Sequence, residues 1–172
     1  KIFKLKKRPK NNPLIVHYSS LEMLKRDCIL NKNFTNLYNK FCPGPLTFIL
    51  KLKKDSKISK FVTNNKKTLA VRFPSHPKAK SLLKILNYPL AAPSANISSR
   101  VSPVTKNHVK EEFGKKIKYI IEGGLSKIGL ESTIINLTGK PEILRVGTID
   151  INKLSKALKK KLFYRKKTYM KV

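Results

Sequence analysis

Pro13-Leu14-Ile15-Val16-His17-Tyr18-Ser19-Ser20-Leu21-Glu22-Met23-Leu24 joins two different periodicities. The apolar run that Pro13 opens suits a buried strand. Ser19-x-x-Glu22 then has the spacing of a capping box just before Leu21, Met23 and Leu24, so a helix is expected to begin there. The same change of period recurs along the chain. A short helix is predicted from Phe34 to Lys40, stopped by Pro43-Gly44-Pro45, and a strand over Leu46 to Leu52. Residues 53–67 read as loop with a helical turn near Ile58 to Val62. Thr68 to Phe73 is a strand ended by Pro74, and His76 to Leu86 is an amphipathic helix through Ala79, Leu82, Leu83 and Leu86. Pro89 to Ser94 is extended, and a helix runs from Pro103 to Phe113 with Gly114 as its stop. Strands are predicted over Ile117 to Ile121, Ser132 to Leu137 and Ile143 to Val146. Helices and strands in alternation define an α/β or α+β sheet domain.

The 172 residues fit one domain with a real core. No run of about 18 apolar residues exists, which excludes a transmembrane helix. Two cysteines, Cys28 and Cys42, with no second pair, exclude a zinc ribbon or a disulfide-built fold and suit a reducing, cytoplasmic setting. Against 39 Lys and Arg stand 9 Asp and Glu, a formal net charge of +30. Such a surface attracts polyanions by counterion release. Yet 33 Lys, 13 Asn and 16 Ile are also what an AT-rich coding sequence favours. The charge alone decides nothing.

The first residue is Lys1, and Lys1 to Lys6 reads like the end of a helix in progress, without the apolar region of a signal peptide. A chain cut at its N-terminus is the expectation. At the other end, Ile151 to Leu158 has helical spacing, followed by a basic tail through Lys159-Lys160-Lys161 and Arg165-Lys166-Lys167. Phe163, Tyr164 and Tyr169 are interleaved there, and aromatics among cations can stack on unpaired bases. A frayed terminus explains the same residues. The expected division is therefore a domain over 1–150 and a helix with a basic tail over 151–172.

Walker A, G-x-G-x-x-G and H-E-x-x-H patterns are missing, and so are Ser-x-Gly elbows. No resident metal site is expected, and no residue is singled out as a general base. Instead, cations and hydroxyls stand at strand ends. Lys6-x-Arg8 places a point charge and a bidentate fork within reach of one phosphate chain, with Asn11-Asn12 following. Pro93-Ser94-Ala95-Asn96 leads into a loop with Ser98, Ser99 and Ser102, able to offer hydroxyls and N–H groups to a nucleotide, or merely to turn the chain. Arg72 ends an apolar strand and needs a partner, for which a ligand carboxylate would serve. Glu122-Gly123-Gly124 and Glu131-Ser132-Thr133 bracket a glycine-containing loop, and His17 ends its own strand.

In this order, Lys6 to His17, Pro43 to Thr47, Ala70 to Pro77, Ala91 to Asn96, Glu131 to Ile135 and Leu144-Arg145-x-Gly147 resemble the YrdC-like family of threonylcarbamoyl-AMP synthases. The resemblance implies an α/β fold, a twisted mixed sheet flanked by helices around a basic cavity. It implies a nucleotidyltransferase that joins L-threonine, bicarbonate or CO2, and ATP (with Mg2+) into threonylcarbamoyl-AMP, releasing pyrophosphate. Downstream tRNA threonylcarbamoyl-transfer proteins would use the product. By position, Lys6, Arg8, Asn12, Thr68, Ser94, Asn96, Ser102 and Arg145 would bind ATP, and His17, Arg72, Ala92 and Ser132 threonine. The family's Pro-Thr-Glu-Thr-Val-Tyr-Gly segment would precede Lys1, and Cys42 stands where many members have Trp. Two further readings remain open at this level: an RNA-binding module whose partner is tRNA or double-stranded RNA, and an inactive fragment.

Overall fold

Ile15, His17 and Arg72 alternate with Val16, Tyr18 and Val71, and that alternation sorts the whole sheet into two faces. The computed structural model describes residues 1–126 and 129–164. Its helices are α1 (Ile2–Leu5), α2 (Leu21–Asp27), α3 (Lys32–Phe41), α4 (Lys60–Thr63), α5 (Pro77–Ile85), α6 (Lys106–Phe113) and α7 (Ile151–Leu158). Its strands are β1 (Ile15–His17), β2 (Cys28–Ile29), β3 (Leu46–Leu52), β4 (Thr68–Arg72), β5 (Leu90–Ala91), β6 (Thr133–Asn136) and β7 (Glu142–Arg145). They form one mixed sheet in the order β5-β1-β4-β3-β6-β7. The pairs β1–β4 and β3–β6 are parallel, while β1–β5, β3–β4 and β6–β7 are antiparallel. The two-residue β2 continues the β6 side of β3, pairing Cys28 with Leu52 and Ile29 with Lys51.

One register row crosses the sheet as Ala91, Val16, Val71, Phe48, Ile135 and Ile143. All but Ala91 are at most 1% exposed, and Ala91 packs against the same core. Tyr18, Leu50, Leu69 and Leu137 join them, with Leu24 of α2, Phe34 and Leu37 of α3, and Leu154 and Leu158 of α7. Phe34 meets Phe48 edge-on at 4.9 Å, and Tyr38 meets Phe73 in the same way at 4.9 Å. Helix α7 is thus part of the core, whereas the tail residues Arg165, Lys166, Lys167 and Tyr169 lie outside the described residues.

Local capping decides the helix starts. Ser20, not Ser19, caps α2, its Oγ accepting from the Met23 N–H at 3.2 Å. Asn31 caps α3 through the Phe34 N–H at 3.0 Å. Helix α6 begins after Thr105 rather than at Pro103, because Thr105 Oγ1 accepts from the His108 N–H at 3.2 Å. Asp150 caps α7. The expected strand over Ile117 to Ile121 is a correction: the segment has no ladder partner among the described residues, and Tyr119 and Ile121 face solvent. An apolar alternation makes a strand only where another edge is within hydrogen-bonding reach. No helix is long and apolar enough to cross a membrane among the described residues.

Phe48 is the hub of the buried row, so Phe48→Ala should lower unfolding stability by about 3–5 kcal/mol, read from urea denaturation. A loss below about 1 kcal/mol would mean that the core is not organised around it.

Candidate active site

The next register row, one residue over, faces the other side of the sheet: Leu90, His17, Arg72, Thr47, Ile134 and Arg145. Above it lies a cleft of about 310 Å³ lined by Arg8, His17, Arg72, Ala92, Ser94, Ser102, Ser132 and Arg145, with Glu131 at its rim. Eight of the twelve residues singled out from the sequence therefore meet in one cavity.

Backbone carbonyls hold the three guanidinium groups. Arg8 donates through Nε to Asn12 O at 3.2 Å and through Nη2 to Pro13 O at 2.8 Å. Arg72 donates through Nε to Gly44 O at 3.2 Å. Arg145 donates through Nε to Ser132 O at 3.0 Å and through Nη2 to Ser132 Oγ at 3.1 Å, while its Nη1 pairs with Glu131. Burial and then Arg145 lower the pKa of Arg72; burial also lowers that of Arg8, with Arg145 adding to the effect and Glu131 opposing it. Three like charges thus converge on a cleft that offers a single carboxylate. Such an arrangement is completed by an anion.

Lys6, Asn12, Thr68 and Asn96 stand outside the lining. Lys6 is buried, and its Nζ donates to Ser94 O at 2.5 Å, to Asn96 Oδ1 at 3.3 Å and to Asn96 O. It ties the 94–96 loop to the N-terminal helix, assisted by Ser98 N–H donating to Lys6 O at 2.8 Å. Asn96 Nδ2 in turn donates to Arg100 O at 2.6 Å, closing the loop. The Asn12 carbonyl orients Arg8. Thr68 begins β4, pairs with Lys51 and sits four residues from Arg72, about 13 Å along the strand.

Two residues that the sequence reading had not placed in the site also shape it. A Cβ at Gly147 would come within 2.3 Å of Glu131 O and 2.7 Å of Thr133 N, so only glycine lets the chain leaving β7 pass beside Ser132. Arg145 two residues earlier was the available signal. Thr47, wholly buried, places its Oγ1 2.8 Å from Ser132 Oγ. The sequence signal was only its place at the end of the Pro43 to Thr47 stretch.

His17 Nδ1 is buried without a partner among the described residues. Burial first, and then Arg72, push the imidazole pKa down to about 4, so it is neutral at pH 7. It can accept a hydrogen bond or donate one, but brings no further cation to the three arginines.

The class these features define is an α/β protein with an arginine-lined cleft on one face of a mixed sheet. The family model for Sua5, YciO and YrdC, described as telomere recombination, matches residues 1–147. The chain is 41% identical over 163 residues to the threonylcarbamoyl-AMP synthase of Pyrococcus abyssi, covering 92% of this chain and 46% of that one. Identity to the threonylcarbamoyl-AMP synthase of Schizosaccharomyces pombe is 40% over 176 aligned positions, covering 89% and 43%. The crystal structure of P. abyssi Sua5 complexed with L-threonine matches at 38% identity with a TM-score of 0.92, over 99% of this chain and 50% of that one. This chain belongs to the Sua5/YciO/YrdC family, and it spans about half the length of the first curated relatives it matches.

The lowered His17 pKa has a signed consequence. Between pH 6.5 and about 4 the unfolded chain holds a proton that the folded chain does not, so stability falls as pH falls through this window. His17→Gln should remove that contribution, about 3 kcal/mol once pH is below both values. Stability measured against pH for parent and variant should diverge across the window, and parallel curves would refute a neutral His17. Gly147→Ala should cost about 1–3 kcal/mol, read by the same denaturation, because backbone must shift to admit the methyl.

Proposed function

We propose that this chain carries out threonylcarbamoyl-AMP synthesis: L-threonine, bicarbonate or CO2, and ATP give threonylcarbamoyl-AMP and pyrophosphate. The convergence of Arg8, Arg72 and Arg145 on one cleft is the observation that carries this reading. The threonine complex of P. abyssi Sua5 supports the amino acid as one ligand.

Two anionic groups suit the two ends of the cleft. Arg8, Ser94, Ser102 and Arg145 face the nucleotide and its phosphates, with Lys6, Asn12 and Asn96 fixing the surrounding loops. His17, Arg72, Ala92 and Ser132 form the end that takes the threonine carboxylate and amine. Thr68 is too far along β4 from Arg72 for the same pocket and is left to an outer edge of the nucleotide.

The threonine amine first adds to CO2 with loss of a proton, or condenses with bicarbonate with loss of water, to give a carbamate. A carbamate oxygen then attacks the α-phosphorus of ATP; the new P–O bond forms as the bond to pyrophosphate breaks. The arginines offset the charge that accumulates on the phosphates, and their carbonyl tethers fix them before substrate arrives. No protein nucleophile or covalent intermediate takes part. Mg2+ enters with ATP as part of that substrate. The product, a mixed anhydride, then acylates the adenosine of tRNA through separate transfer proteins.

The test is pyrophosphate release by the purified chain with ATP and Mg2+, with threonine and bicarbonate added singly and together. Release should require both. Arg72→Ala should raise the KM for threonine roughly ten- to hundredfold, as expected for losing a charged hydrogen-bond donor, and Arg8→Ala should act on ATP. Release that ignores threonine, or its absence under every condition, would reject the synthase reading. Retained, steeply salt-dependent binding of double-stranded RNA in that case would favour an RNA-binding role for the +30 surface.

A further inference from the structure

Thr47 is completely buried, stands outside the lining of the cleft, and lies directly opposite Arg72 on the neighbouring strand. Its Oγ1 lies 2.8 Å from Ser132 Oγ, and Ser132 is the only partner of that hydroxyl among the described residues. A hydroxyl carries one proton and two acceptor positions. Arg145 Nη2, which can only donate, fills one acceptor position of Ser132 Oγ at 3.1 Å.

Two proton arrangements are then open to the Thr47–Ser132 pair. If Ser132 donates to Thr47, the Thr47 proton is left buried with no acceptor, a costly state. If Thr47 donates to Ser132, both acceptor positions of Ser132 are filled and the Ser132 proton has one direction left, into the cleft. Only the second arrangement gives the buried Thr47 proton an acceptor, and it leaves the Ser132 proton for a ligand in the cleft.

We propose that Thr47 is a positioning residue for the amino-acid substrate, holding Ser132 as a hydrogen-bond donor toward an acceptor oxygen of bound threonine. This rests on the reading of the cleft as a threonine site. Thr47 touches no substrate itself; it fixes the sense of a hydrogen bond one residue away. Ser132 is consequently a donor beside Arg72, matching an anionic carboxylate, rather than an acceptor that would repel it. Valine at 47 keeps the shape and the buried packing while removing that control.

The experiment titrates L-threonine calorimetrically into the full chain and measures KM for threonine and for ATP, in the parent, Thr47→Val and Thr47→Ser. Thr47→Val should weaken threonine binding about five- to tenfold, the effect of a neutral hydrogen bond. KM for ATP should change less than twofold, and the melting temperature should stay close to the parent's, since a purely structural residue would lower it. Thr47→Ser, which retains the donor, should return threonine affinity to within about twofold of the parent. If Thr47→Val does not fold, Thr47→Ala replaces it with the same expectation. Parent-like threonine affinity in the variant overturns the inference, as does equal weakening of threonine and ATP, or equal loss in the serine variant. A parent chain that binds no threonine overturns the threonine-site reading and this inference with it, an outcome distinct from normal parent binding with an indifferent variant.

Discussion

The pairing register of β1, β4 and β3 is the constraint on which both halves of this protein depend. Val16, Val71 and Phe48 make one row; His17, Arg72 and Thr47 make the next. Side chains alternate across a strand, so the first row buries the core and the second builds the cleft. A slip of one residue would bring Arg72 into the aromatic cluster around Phe48 and expose Val71 in the cleft. The hydrophobic term of the core therefore also sets the positions of the charged groups. Burial of Phe48 and Val71, roughly 1.5–3 kcal/mol each, works against any such slip.

Electrostatics oppose that same arrangement. Arg8, Arg72 and Arg145 repel one another across a half-buried cleft, and Glu131 answers only one of them directly. What keeps the guanidinium groups from swinging out to water is a set of carbonyl acceptors: Asn12, Pro13, Gly44 and Ser132. These carbonyls belong to strand ends and to the turn after α3, which the core fixes independently of the charges. The turn itself needs Gly44, since a Cβ there would meet Phe41 O at 2.3 Å. An apolar core thus maintains a cationic site whose own repulsion would disperse it.

How far the sequence reveals this differs by element for physical reasons. The strands over 46–52 and 68–73 are legible because burial on one face leaves a period-two pattern, and Leu154 and Leu158 mark α7 through a helical one. Ile117 to Ile121 carries apolar residues too, but pairing depends on a partner edge, which composition does not encode. Cys28 and Ile29 make the converse case, a two-residue strand too short for any period to register. Within the site, Arg72 and Ser132 stand out because a strand-end cation and a loop hydroxyl are unusual in their surroundings. Lys6 was legible as a cation but not as a buried one, since its acceptors come from residues 94–96, far away in sequence. Gly147 and Thr47 depend on a close approach and a cross-strand contact that exist only after the sheet has formed.

The proposed adenylyl transfer, with no protein nucleophile, would place its whole demand on geometry, because misplacement of reacting groups by about 1 Å can cost a hundredfold in rate. A loop-built site would meet that demand poorly. Here His17, Arg72 and Arg145 lie at strand ends of one sheet, and Thr47 beneath them is locked by ladders on both sides, to β4 and to β6. The loop contribution comes from residues 94–96, and the buried Lys6 ammonium ties that loop to the N-terminal helix. Through that tether Lys6 makes the loop carrying Ser94 part of the rigid frame. For the proposed reaction, which would be driven by alignment of anions rather than by a reactive side chain, a rigid loop favours catalysis.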